Sequence, residues 1–392
     1  MATSSHHRHQ VSLESVFDLS STAPTHLPAE TRASARQAFY HIVDHFAGLE
    51  TAQGLNTGGH QYSQAKLVRF TYEYALSELS RDIYLRAFFR VLTLSLDTDV
   101  AALRLDALAP PFAAFAEYLM DNFYLPLKAS TRQTPQPSPI THSAVLRAQG
   151  GVATEGYIGT PARLASLRGT CLVRDRHRCV VTRAFSMSEF EKRYKSHGAD
   201  AQDDDGTLFT QQTALRRDAV EVAHILPHSL MRASGNQELD KSREAALAVL
   251  NMFDYGVTHM IDGVDIDRTA NALTLTKTLH GEFGAFNIFF DAVPGARNTY
   301  AIRSFLSPPT TADLGLPVTR TLFDSRTIDP PSPRLLAVHR AIAQILHLSA
   351  AGEYIDHVLR DMETNLVRAD GSSELGRLVG LRLGGWIDGK VY

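Results

Sequence analysis

The chain has 392 residues, 44% hydrophobic and 21% charged, enough for two or three globular units with real cores. Its net charge of -3 excludes a protein that coats nucleic acid by bulk charge, while leaving room for a local basic patch. No run of about eighteen apolar residues occurs, and the opening MATSSHHRHQVSLESV lacks the apolar stretch of a secretory signal, so the expectation is an intracellular protein with no membrane partner.

Residues 1–28 are rich in Ser, Thr, His and Pro without periodicity and read as a polar lead-in. From 29 to 127 the pattern is helical. Phe39, Ile42, Val43 and Phe46 fall at i, i+3, i+4, i+7, and Leu85, Phe88, Phe89, Leu92 and Leu96 repeat the stripe. A further helix, FAAFAEYLMDNFY, is expected after Pro110 and Pro111. These stripes are core faces and carry no chemistry. Residues 128–160 include KASTRQTPQPSPITHS and read as a linker.

The segment 161–306 differs in texture. Short β-like runs, CLVRD, CVVTR, VEVAHI, NALTLT, NIFFDAV and TYAIRSF, alternate with polar insertions, and the acidic GADAQDDDGTLFTQQ reads as a loop. A Pro-rich connection follows over 307–332. Residues 333–368 form a helical pair on the stripes Leu335, Val338, Ile342, Ile345 and Ile355, Val358, Leu359, Met362, with Gly352 as the expected turn between them. The Gly-rich tail 369–392 gives no firm assignment. The fold class is therefore α+β, with a strand-rich centre flanked by N- and C-terminal helical segments.

Three residues of the central segment point to chemistry. VEVAHI stops at Pro227, which places His224 at a strand's end on the face of Val222. ALTLT alternates as a second strand behind Asn271, and Thr276 or Thr278 is placed to cap a helix on which Leu279, Phe283 and Phe286 share a face. His280 then enters that helix's first turn. Two antiparallel strands and the helix would bring His224, Asn271 and His280 to one β-β-α corner suited to phosphodiester hydrolysis. A neutral histidine takes a proton from water at physiological pH, so His224 is the candidate general base. The Asn271 oxygen and a His280 nitrogen are the candidate ligands of one divalent metal, with substrate phosphate completing the shell. Mg²⁺ or Mn²⁺ suits so weak a site better than a tightly kept Zn²⁺.

The remaining candidates have plainer readings. His228 follows Pro227 and belongs either to the same cleft or to the surface. Cys171 and Cys179 could join His177 on zinc, but their spacing is wide of the usual pattern, so buried or idle thiols are preferred. Arg174, Arg176 and Arg178 alternate and on a strand would share one face. With Arg216 and Arg217 they are possible phosphate contacts, against the default of a solvated face.

RDRHRCVVTR, VEVAHILP and NALTLTKTLHGEF together resemble the HNH endonuclease family, in the branch whose first motif reads Ala-His-Ile, and HRAIAQILHLSAAGEYID resembles the helical part of uncharacterised fungal proteins carrying this domain. The likeness spans roughly residues 165–300. It implies a ββα-metal fold and metal-dependent endonuclease activity on nucleic acid, DNA favoured over RNA, with His224 as base and Asn271 and His280 as metal ligands. Ala223 stands where many HNH enzymes carry a metal-binding Asp, Ala272 where the branch has Gly, and Gly284 where it has Asp. A catalytically inactive HNH module that binds nucleic acid or a protein, and a structural zinc-binding domain, are the other functions weighed.

Overall fold

The computed structural model describes residues 24–52, 61–131, 160–212, 214–231, 241–323, 327–364 and 375–386. Most of the lead-in and of the linker, and both ends of the tail, lie outside the described residues. Helices α1 (Ala29–Ala52), α2 (Gln64–Glu73), α3 (Glu78–Val91), α4 (Leu105–Leu119), α5 (Leu125–Thr131) and α6 (Thr160–Arg174) come first. Then follow β1 (Phe185–Ser186), α7 (Met187–His197), β2 (Arg217–Asp218), β3 (Val220–His224), α8 (Lys241–Asn251), β4 (Ala272–Thr276), α9 (Lys277–Gly284), β5 (Ile288–Ala292) and β6 (Thr299–Ser304). The last elements are α10 (Pro308–Asp313), β7 (Val318–Thr321), α11 (Pro333–Leu348), α12 (Ala351–Thr364) and α13 (Leu375–Leu383). The mixture is α+β. Among the described residues no single helix is long and apolar enough to cross a membrane.

The chain divides into two compact units, each assembled from separated segments: Met1–Ser130 with Ser229–Met260 and Ala341–Tyr392, and Thr131–His228 with Ile261–Arg340. The first is helical. The stripe Phe39, Ile42, Val43, Phe46 is buried as its spacing requires, and Phe39 meets Phe88 edge-on with ring centroids 5.0 Å apart. Ser77 caps α3 by accepting a hydrogen bond from the Ser80 amide at 3.1 Å. Segment 229–260 joins this unit through α8, whose Ala246, Val249 and Leu250 are buried, and through the Leu76 amide, which donates to Phe253 O at 2.6 Å.

Local departures from the sequence pattern have local causes. Helix α4 starts at Leu105 and takes Pro110 and Pro111 into its own length rather than following them. The turn between α11 and α12 falls at Ser349 and Ala350, the latter at φ 61°. Gly352 lies inside α12, where a Cβ would stand 3.4 Å from Lys128 Nζ, the ammonium that donates to Gly352 O at 2.8 Å.

In the second unit β3 and β4 pair antiparallel, with His224 opposite Ala272 and Val220 opposite Thr276. Helix α9 leaves directly from the end of β4, and Thr276 caps it. Leu167 and Cys171 of α6 pack on Val222 and Ala272 of this hairpin, so CLVRD is the end of a helix rather than a strand. CVVTR likewise forms a turn, because Arg176, His177 and Arg183 all take left-handed backbone angles. Beyond the hairpin, β5, β6 and β7 form an antiparallel sheet in that order. The rim of α9 is clamped by His339, whose ring stacks on Phe283 at 3.9 Å and on Phe286 at 4.6 Å.

Candidate active site

The end of β3 carries His224, and the short turn after Pro227 carries His228. Both reach one carboxylate. His224 Nε2 lies 3.1 Å and His228 Nδ1 2.8 Å from Asp267 Oδ1, while Arg163 Nε of α6 donates to Asp267 Oδ2 at 3.0 Å. The side chains of His224 and Asp267 are only 4% and 2% exposed, so the contacts form in a low dielectric where charge matters most. Burial opposes ionisation of Asp267, yet the hydrogen bonds from His224 and His228 hold its carboxyl well below the usual range. Burial lowers the His224 pKa, with Asp267 working against that and the nearby His228 and His280 adding to it. An ionised Asp267 only accepts, so His224 carries its proton on Nε2. Its Nδ1 then presents a lone pair, buried and without a hydrogen-bond partner.

His280 sits in the first turn of α9, as its spacing predicts. Its Nδ1 lies 2.8 Å from Glu221 Oε2 on β3. Glu221 stands two positions before Ala223 in the same strand, on the same side of the pleat. Glu221 was not among the sequence candidates.

Asn271 does not face the carboxylate cluster as a ligand. It is 1% exposed. Its Oδ1 accepts from the Leu226 amide at 2.9 Å, and its Nδ2 donates to Leu226 O and Ile266 O, each at 2.9 Å. One side chain thereby ties the turn between His224 and His228 to the residue preceding Asp267. An amide can do this because it both donates and accepts, whereas a metal ligand needs only the oxygen.

The sequence-chosen arginines are largely neutralised. Arg174 is buried in a two-bonded ion pair with Asp175 and also donates to Thr269 O and Ala272 O, which locks α6 to the start of β4. Arg176 pairs with Asp205, and Arg178 pairs with Asp203 at 2.7 Å. Arg217 lies over the Phe190 ring at 3.9 Å. Arg216, with Asp218 at 3.8 Å, stays exposed. His177 bonds Asp204 at 3.0 Å instead of joining the cysteines, and Cys171 and Cys179 are buried free thiols.

The donor chemistry admits a divalent cation. Among the described residues, one atom each of His224, His228 and Asp267 all lie within 4.8 Å of one another, a nitrogen-nitrogen-oxygen set of the kind that first-row divalent ions accept. Residues 179–291 match the HNH endonuclease family. The matched segment takes in His224, His228, Asp267, Asn271 and His280, while Arg163 lies before it. No curated protein and no solved structure matches the chain.

Proposed function

We propose that the chain is a metal-dependent HNH endonuclease of the ββα-metal type that hydrolyses phosphodiester bonds of nucleic acid, DNA in preference to RNA. The observation that carries this reading is His224, pinned through Nε2 to Asp267 and left with an unpartnered lone pair on Nδ1. Such an imidazole is neutral at pH 7 and is the general base that takes the proton of the attacking water. Asp267 fixes its tautomer, Arg163 holds Asp267, and Asn271 sets the distance between the two loops that carry them. His280 and Glu221 are the groups that would hold Mg²⁺ or Mn²⁺, which when bound would stabilise charge on the phosphoryl oxygens.

A second reading is favoured by the convergence of His224, His228 and Asp267 within 4.8 Å. It makes those three the metal centre and His224 a ligand. One experiment separates the readings. Plasmid nicking and Mn²⁺ binding by calorimetry are measured on the full chain and on His224→Ala. As a base, His224 takes with it about two to four powers of ten in nicking and leaves ion binding intact; as a ligand it takes both. Absence of nicking by the wild-type chain with any divalent ion overturns the nuclease reading altogether.

A further inference from the structure

Two arginines with no carboxylate partner among the described residues reach each other's segments elsewhere. Arg183, in the turn before β1, and Arg320, on β7, are cross-linked reciprocally. Arg183 Nη2 donates to Thr321 O on β7, and Arg320 Nε donates to Val181 O in the turn at 2.7 Å. Neither makes an ion pair with a carboxylate among the described residues. Burial, and next the charge of Arg320, pull the Arg183 guanidinium down from its usual range. Asp175, the acid whose charge reaches Arg183, is itself buried and bound to Arg174. Arg183 also stands over the Phe323 ring at 4.3 Å, and its Nη1 is buried with no hydrogen-bond partner.

Two like charges brought together, half-buried and with no carboxylate partner among the described residues, oppose folding unless something anionic joins them. Backbone conformation adds an independent sign: Arg183 occupies φ 62°, a left-handed conformation that costs a branched-chain or long side chain energy and concentrates where function requires it. Each guanidinium has five N–H donors; Arg183 uses Nη2 on Thr321 O, and Arg320 uses Nε on Val181 O and Nη1 on Thr319 O at 3.5 Å, which leaves further donors for phosphate oxygens. The turn carrying Arg183 is itself joined to the catalytic hairpin, since the Val180 amide donates to Thr274 O of β4 at 2.9 Å.

We infer that Arg183 and Arg320 form a phosphate-binding site that grips the backbone of the nucleic acid beside the HNH hairpin. The site is built partly from β7, which lies beyond the matched segment 179–291. The choice of nucleic acid as the source of phosphate rests on the nuclease reading; the phosphate chemistry does not.

The test is anisotropy of a short labelled duplex with the full chain, in EDTA and across a salt series, so that cleavage plays no part. Arg183→Gln and Arg320→Gln are each expected to weaken Kd about tenfold and to flatten the log–log salt slope by about one unit. Arg183→Lys and Arg320→Lys keep the charge and are expected to keep the slope. Gln variants with wild-type Kd and slope overturn the site, as do Lys variants with slopes as shallow as those of the Gln pair. Inorganic phosphate, matched for ionic strength with chloride, is expected to compete with the duplex on the wild type and not on the double Gln variant. Phosphate that binds at these arginines while duplex affinity ignores them overturns nucleic acid as the ligand. Wild-type binding that depends on both arginines without any nicking would sink the nuclease reading and leave this site standing.

Discussion

His224 and Asp267 lie 43 residues apart in the chain, and 3.1 Å separates Nε2 of one from Oδ1 of the other. The contact couples the end of β3 to the loop that precedes β4, and His228 and Arg163 meet the same carboxylate.

Asp267→Asn tests that coupling. The amide keeps the volume but loses the charge and cannot accept from both imidazoles with the same strength. Nicking is expected to fall about tenfold to a hundredfold, as for other groups that orient a reacting histidine. The thermal midpoint should fall as well, because a carboxyl held below its usual range stabilises the fold in its ionised form and Arg163 would lose its charged partner. Undiminished nicking by Asp267→Asn would remove it from the mechanism.

Asn271→Ala distinguishes a pin from a ligand. Removing the side chain leaves the Leu226 amide and the carbonyls of Leu226 and Ile266 buried without the bonds they now make. A loss of about 3 kcal/mol in urea unfolding is expected. A variant as stable as the wild type that instead needs more Mn²⁺ for nicking would return Asn271 to the ion.

The stacked histidine of α11 makes stability sensitive to acid. Burial pushes His339 down to about 3, against the hydrogen bond from its Nε2 to Phe283 O. In the unfolded chain the same imidazole protonates near its ordinary value of about 6.5. The folded pKa is depressed, so the contribution of His339 is complete above that value and is lost as pH falls from it toward the folded pKa. Within that window the loss is about 1.4 kcal/mol per pH unit. Urea unfolding of the wild type and of His339→Phe at pH 7 and pH 5 should show the smaller pH difference in the variant; equal differences would show that another group dominates.

The segment 161–306, attractive from sequence as an independent nuclease, is expected to be insoluble when expressed alone. It would carry α8 and Phe253 away from the helical unit in which they are buried, and it would lack β7, the partner of β6, and His339. A soluble fragment with the far-ultraviolet spectrum of a folded domain would contradict the observed division.

Much of this architecture was legible because helical stripes and alternating strands declare themselves. The apolar spacings at Phe39 and Leu335, the hairpin strands, the Thr276 cap and the place of His280 all follow from local pattern. What stayed hidden was tertiary or depended on single backbone angles. Asp267 stands four residues before Asn271 in DGVDIDRTAN, an acid among acids, and only the fold chooses it. The oxygen of Asn271 invites a ligand role from sequence, yet its nitrogen is equally in use in the fold. Arg174, Arg176 and Arg178 alternate like a strand, but Arg174 ends helix α6 in a buried ion pair and left-handed angles at Arg176 and His177 turn the chain after it. Gly284 likewise has a steric reason invisible in one dimension: a Cβ there would stand 3.2 Å from Thr131 O.

Between His228 and Asp267 the chain leaves the second unit at Ser229 and returns at Ile261. The two residues are 39 positions apart, and bringing the ends of a free loop of that length together would cost on the order of 3 kcal/mol in chain entropy. Here the excursion carries α8, which is buried within the helical unit. The His228–Asp267 contact is therefore one that no fragment ending before residue 267 can form, however well its strand β3 is made.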